Sequence, residues 1–153
     1  MEQVTQNILV GGSGFIGSEL ALALVQRGET VVSISRHDKA DTPGIKNLLL
    51  DIMDKSALKK RFPQGETVYI LVGQNHSEFD TERELGALRN LIEALNERPP
   101  KKVLYLSSAL VYGETDEPAT EASLSHPADQ YSQFKCAAED ILQKGLNPNI
   151  TLG

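Results

Sequence analysis

The sequence has one cysteine, no excess of basic residues and no long apolar run, and each shortage excludes a class of protein. Cys136 cannot form an internal disulfide, and no second cysteine lies near it to build a metal site, so we expect no metal. The chain carries 15 Lys and Arg against 21 Asp and Glu, and a net charge of −6 argues against a nucleic-acid partner. It contains no stretch of about 18 uninterrupted apolar residues and no signal-peptide pattern at its start. We therefore expect a cytoplasmic protein with no membrane partner.

The 153 residues suit one globular domain, and we find no internal repeat or low-complexity linker. Continuous apolar runs are typical of strands that are buried on both faces, and five occur, at 8–10, 31–34, 48–50, 68–72 and 103–106. Helical patterns lie between them, at about 14–27 and 82–97 and from about 129 onward. This alternation predicts an α/β fold of the Rossmann type, a doubly wound parallel sheet.

A glycine-rich stretch, GGSGFIG, lies between the first predicted strand and the first predicted helix. Gly11 would allow a sharp turn, Gly14 would let the backbone approach a pyrophosphate, and Gly17 would let the helix pack closely on the strand. Phosphates would meet free N–H groups at the helix N-terminus. The spacing is G-x-x-G-x-x-G, which differs from the commonest dinucleotide fingerprint. Its position nevertheless favours a nucleotide-binding loop over a turn that binds nothing.

The residues after the second and third predicted strands bear on which dinucleotide is bound. A carboxylate after the second strand would hold the 2′-hydroxyl of NAD, whereas a basic residue accommodates the 2′-phosphate of NADP. Ser35 occupies the acid's place and Arg36 follows it, so the sequence favours NADP unless Arg36 is only a solvated loop cation. Asp51 could accept a hydrogen bond from the adenine amino group, or it could cap the helix that begins near Asp54.

Three residues further along form a candidate catalytic set. Tyr131 and Lys135 are i and i+4 on one predicted helix, so their side chains share a face. The ammonium of Lys135 would favour the phenolate form of Tyr131, which is otherwise a poor base at neutral pH. Ser108, at the end of the fifth strand, can donate to a carbonyl or alkoxide oxygen of a small-molecule substrate. Together they make a proton shuttle beside a hydride carrier.

In these motifs the chain resembles the N-terminal, cofactor-binding part of the extended short-chain dehydrogenase/reductases, the family of NAD-dependent epimerases and dehydratases. The stretches that carry the resemblance follow the family's order: GGSGFIG, the Asp51-Ile52 pair, GALRNLIEAL, LSSALVYG, PATEAS and YSQFK. The resemblance implies that residues 1–153 form an NAD(P)-binding Rossmann domain that uses NADP or NAD.

The resemblance also implies roles for individual residues. Ser108 would orient substrate, Tyr131 would be the acid/base, and Lys135 would both assist the tyrosine and bind the ribose. Phe15 and Ile16 would offer backbone donors to the pyrophosphate. Asp51 and Ile52 would belong to the cofactor site.

The chain departs from the family's pattern in two places. Val72 stands where small residues usually line the nicotinamide side, and a valine narrows that space. The chain stops at NPNITLG, where a sixth strand begins, whereas family members continue into a smaller domain that grips the substrate. We therefore expect a truncated sheet, either a fragment or a shortened natural form, whose exposed edge favours a homo-oligomer.

Two functions are consistent with these observations. The first is an NAD(P)-dependent epimerase/dehydratase-type oxidoreductase acting on a nucleotide sugar or a related carbonyl or alcohol. The second is a non-catalytic NADP-binding module, either a redox sensor or a structural subunit. The intact Ser108, Tyr131 and Lys135 set favours the first. The short chain favours the second, because a site without its substrate wall leaves the nicotinamide open to water.

Overall fold

The structure is a computed structural model that describes residues 6–73 and 80–153. These residues form six strands: β1 (Gln6–Val10), β2 (Thr30–Ser35), β3 (Ile45–Leu49), β4 (Thr67–Ile70), β5 (Lys102–Tyr105) and β6 (Thr151–Leu152). The α-helices are α1 (Phe15–Gln26), α2 (Lys55–Arg61), α3 (Thr81–Glu97) and α4 (Gln130–Gly145), and a short 3₁₀ turn (Ala109–Tyr112) follows β5. None of the helices within these two ranges has both the length and the apolar composition to cross a membrane.

All six strands are parallel and lie in the order β3-β2-β1-β4-β5-β6. In β1, Ile8 is aligned with Val32 of β2 on one side and with Val68 of β4 on the other. The predicted doubly wound α/β sheet is therefore confirmed. The chain order reverses between β1 and β4, and ligands of such sheets bind outside the carboxyl ends of the strands at this point.

The core has two parts because successive side chains of a strand point to opposite faces. Ile8 and Val10 belong to the larger cluster, to which α2, α3 and α4 contribute, whereas Leu9 packs with Ala21 and Leu24 of α1. The helix predicted at about 82–97 is α3, and its apolar residues Leu85, Leu88, Ile92 and Leu95 are spaced along one face and buried.

The inward face of α1 differs from the pattern in the sequence. Ile16 is half exposed, and the buried residues are Gly17, Ala21 and Leu24. Because Gly17 has no side chain, the helix approaches the glycine loop at this residue, and the preceding Ile16 points away. Of the apolar positions Ile16, Leu20 and Leu24, spaced four apart, Leu24 is buried and Leu20 partly buried against the core as the spacing predicts, whereas Ile16 is not.

Two strand boundaries also differ from the prediction. β3 begins at Ile45, three residues before the apolar run. The apolar pattern does not show this start, because β3 is a partly exposed edge strand that includes the polar Lys46. β4 ends at Ile70, before Val72. After one further ladder bond from the Leu71 N–H to the Val10 carbonyl (2.9 Å), the chain leaves the sheet at Gly73, whose φ is 98°.

Candidate functional site

A cavity of about 300 Å³ lies at the carboxyl ends of β1, β2 and β4, where the chain order reverses. The glycine loop forms one wall, the segments after β2 and β3 form another, and the end of β4 forms the third. Seven of the predicted cofactor residues line it: Gly11, Gly14, Ser35, Arg36, Asp51, Ile52 and Val72.

The glycine loop has the backbone geometry that the spacing predicts. Gly11 has a φ of 87°, which favours glycine, and its N–H donates to the Ile34 carbonyl (2.9 Å). A Cβ at Gly17 would lie 2.6 Å from the Gly11 oxygen and 2.7 Å from the Cα of Gly12. Gly12 was not predicted, although a Cβ there would lie 2.5 Å from the Ser33 Oγ. Glycine is required at residue 12 because Ser33 of the neighbouring strand β2 lies so close, and no local sequence pattern indicates this contact.

Gly14 is the N-cap of α1 and provides no side-chain cap. The N–H groups of the first turn have no acceptors within the helix, and that turn contains no acidic residue. Phe15 and Ile16 begin the helix beside the cavity with exposed side chains, 88% and 50%, but they are not among its lining residues. The helix end therefore offers backbone donors and a partial positive charge to an anion.

The segments after β2 and β3 place the residues expected to contact ribose and adenine. The Ser35 Oγ donates to the His37 carbonyl (2.7 Å), and Arg36 is exposed at the cavity wall. Asp51 accepts from the Met53 N–H (2.9 Å), whereas Asp54 is the residue that caps α2. The capping interpretation of Asp51 is therefore wrong, and its carboxylate lies in the cavity wall.

Lys135 is the most unusual residue of the candidate catalytic set because it is only 3% exposed. Its Nζ donates to the Leu106 carbonyl (2.8 Å) and lies 5.6 Å from the centre of the Tyr131 ring. Burial lowers the pKa of Lys135 to about 8, and the negative charge of Glu139 opposes that change. The ammonium thus remains mostly charged at neutral pH, next to the tyrosine that it is expected to assist.

Ser108 is the third residue of the candidate catalytic set, and Gly73 lies between Lys135 and the cavity. Ser108 is half buried, and its Oγ accepts from the Leu110 N–H (3.2 Å), which leaves its proton available to donate. Gly73 lines the cavity, and a Cβ at this position would lie 3.5 Å from the Nζ of Lys135. Lys135 therefore lies behind the Gly73 wall, and none of Ser108, Tyr131 and Lys135 is among the residues that line the cavity. Gln74, which follows Gly73, lies outside the described residues.

Three polar residues near Lys135 were not predicted. Ser107 donates to the Oε1 of Glu139, which joins the segment after β5 to α4. The Tyr105 ring lies 4.8 Å from the Nζ of Lys135, and its hydroxyl is buried with no hydrogen-bond partner among the described residues. Burial also raises the pKa of Tyr105. Ser107 adjoins Ser108 in the sequence, but nothing local indicates its distant partner.

Residues 8–145 match the model of the NAD dependent epimerase/dehydratase family. A UDP-glucose 4-epimerase of Lacticaseibacillus casei is 30% identical over 88% of this chain and 45% of that protein. A UDP-N-acetyl-alpha-D-glucosaminuronate decarboxylase of Bacillus cytotoxicus is 28% identical over 74% of this chain and 40% of that protein. A Thermus thermophilus UDP-glucose 4-epimerase, solved in complex with NAD, has a TM-score of 0.79 and 25% identity over 91% of this chain and 50% of that one. The chain therefore spans half or less of the length of these relatives.

Proposed function

The chain belongs to the NAD dependent epimerase/dehydratase family, and from this premise we propose that it is the dinucleotide-binding part of an oxidoreductase acting on a nucleotide sugar. The observation that carries the proposal is the position of Lys135, a buried lysine that lies beside Tyr131 and behind the Gly73 wall of the cavity. Lysine is rarely buried this fully unless its charge has a partner. Here the ammonium of Lys135 lies beside the Tyr131 phenol, whose ionised form it would stabilise.

The residues present fit a dinucleotide. Gly11 and Gly14 line the cavity with backbone alone, and the φ of 87° at Gly11 disfavours any side chain there, so the backbone is open to close approach by a ligand. The uncapped first turn of α1 supplies donors for the pyrophosphate. Asp51 in the far wall supplies an acceptor for the adenine amino group. The NAD complex of the Thermus thermophilus relative supports the same assignment.

In the proposed reaction, the nicotinamide of a bound dinucleotide supplies the hydride acceptor and donor. Tyr131 takes the proton from a substrate hydroxyl and returns it when the carbonyl is reduced. Lys135 stabilises the phenolate of Tyr131 by its charge. Ser108 donates a hydrogen bond to the same substrate oxygen. The substrates named for the relatives, which are UDP-sugars, support a nucleotide sugar as the substrate class.

The choice between NAD and NADP depends on opposing observations. The NAD complex of a relative favours NAD, whereas this chain has Ser35 and Arg36 where an NAD site would have a carboxylate. We propose an NAD(P)-type cofactor, and the NADP preference stays a prediction from Arg36.

We further propose that the chain self-associates, as the exposed sheet edge suggests. Leu152 on the edge strand β6 and Leu106 after β5 are 36% and 40% exposed, which supports a covered surface there. Light scattering over a concentration series should show a mass above that of one chain, and a monomer at every concentration would refute it.

The test of the proposed function is a fluorescence titration of the chain with NADH and with NADPH. We expect saturable binding of at least one. Competition by UDP-glucose should leave this binding intact, because the sugar nucleotide would occupy a separate site. Failure to bind either dinucleotide would overturn both the enzyme and the binding-module interpretations.

A further inference from the structure

One face of α4 carries three functional groups in succession. Tyr131, Lys135 and Glu139 are spaced i, i+4 and i+8, so they form one stripe along the helix. The first two belong to the candidate catalytic set, whereas the third has no role in the proposed reaction. The stripe continues the catalytic face by one further helical turn.

The segment after β5 meets this stripe residue by residue. The Leu106 carbonyl accepts from the Nζ of Lys135 (2.8 Å), and the Ser107 Oγ donates to the Oε1 of Glu139. Ser108 follows directly. Two hydrogen bonds from adjacent turns of α4 therefore fix the segment that presents Ser108, and one of them depends on Glu139.

The charges around Lys135 give Glu139 a second effect. Within residues 6–73 and 80–153, the ionisable side chains that face the ammonium are Tyr105 of β5 and Tyr131 and Glu139 of α4. Among the described residues, Glu139 supplies the carboxylate whose charge acts on Lys135, and this charge raises the pKa that burial lowers. A negative charge at this place favours the ammonium form on which Tyr131 depends.

We propose that Glu139 is a positioning residue of the candidate active site, which fixes Ser108 through Ser107 and supplies the counter-charge of Lys135. It touches no reacting atom and acts only through these two neighbours. The proposal rests on the proposed function for its purpose, but the contacts themselves do not depend on it.

The test is an NMR titration of the chain with lysine labelled at Cε, in which the Lys135 signal is assigned by its loss in Lys135→Met. Glu139→Gln keeps the shape of the side chain and removes its charge. We expect this variant to move the titration midpoint of Lys135 to lower pH by about 0.5 units or more. Asp140→Asn is the matched control, because it removes a charge from the next, exposed position of α4 and should leave the midpoint unchanged.

Ser107→Ala tests the positioning by a second readout. It retains the charge of Glu139 but removes the donor, so exchange of the Leu110 amide, which bonds the Ser108 Oγ, should accelerate about tenfold or more. Ser107→Thr restores the hydroxyl and should restore protection. An unchanged Lys135 midpoint in Glu139→Gln, an equal change in Asp140→Asn, or unchanged exchange in Ser107→Ala would overturn the proposal. Failure of the wild-type chain to bind a dinucleotide would instead overturn the proposed function. The Lys135 titration and the Leu110 amide exchange would still test the role of Glu139.

Discussion

The two ends of the site are built in different ways. At the glycine loop, the backbone itself forms the surface, and Gly11, Gly12 and Gly17 are required because a side chain would collide or strain the chain. At the other end, the buried ammonium of Lys135 lies 5.6 Å from the centre of the Tyr131 ring. Binding of the cofactor should therefore fail when atoms are added at the loop, whereas catalysis should fail when single polar atoms are removed at α4.

The largest expected effect is the loss of turnover, without loss of cofactor binding, when Tyr131 is changed. On the proposed function, Tyr131→Phe should lower kcat for a nucleotide-sugar substrate by about 1000-fold, because the proton acceptor is lost. Its dinucleotide affinity should stay near that of the wild type. Lys135→Met should impair both. Normal turnover in Tyr131→Phe would remove the proton shuttle and favour the binding-module interpretation.

The next effect concerns the loop. Gly17→Ala places a methyl group against backbone atoms of Gly11 and Gly12, so the loop or the helix must shift. We expect dinucleotide affinity to fall by about 100-fold and the free energy of unfolding to fall by about 2 kcal/mol. Gly86→Ala is the control, since Gly86 is also helical but a Cβ there would meet nothing within 4 Å. Urea unfolding should show this variant to be about 0.5 to 1 kcal/mol more stable.

A smaller effect is expected at the ribose end. Arg36→Gln removes the cation that would pair with a 2′-phosphate, so the ratio of NADPH to NADH affinity should fall about tenfold, or about 1.4 kcal/mol. The exposed Arg27→Gln removes the same charge away from the cavity and should leave the ratio unchanged. Parallel titrations at low salt give both ratios. An equal ratio in Arg36→Gln and the wild type would identify Arg36 as a solvated loop cation.

The smallest effect is a pH dependence of stability. Lys135 has a folded pKa of about 8, below its usual value of 10.5, so between these values the unfolded chain binds more protons. Its burial therefore costs most below pH 8, and the cost is relieved as the pH rises toward 10.5. Relative to Lys135→Met, the wild type should gain about 1 kcal/mol per pH unit in that window, measured by urea unfolding.

The sequence predicts most of the fold because the information is local. Composition alone predicts a buried element in three cases: the apolar runs at 8–10 and 103–106 and the evenly spaced apolar residues of α3. The start of β3 cannot be predicted in this way, because β3 is a partly exposed edge strand and its second residue, Lys46, is polar. The order of the strands follows from the general rules of parallel sheets, with no residue that specifies it.

The candidate site is less predictable, because several of its residues are defined by distant partners. Gly12 is required by Ser33 of the next strand, and Gly73 by Phe134 of α4. Ser107 and Glu139 are 32 residues apart and meet only in the folded chain. Tyr131 and Lys135 could be found from their i, i+4 spacing together with their order after the glycine loop and the Ser107-Ser108 strand end, but the burial of the lysine could not.

The central place of β1 has a consequence for partial unfolding. Its amides and carbonyls are paired with β2 on one side and β4 on the other, and Ile8, Leu9 and Val10 are at most 1% exposed. Local opening is easiest at the edge strands β3 and β6, so the amides of β1 should exchange with solvent last. The glycine loop continues directly from β1. The turn at Gly11 should accordingly survive in partly opened states that have already lost the edges of the sheet.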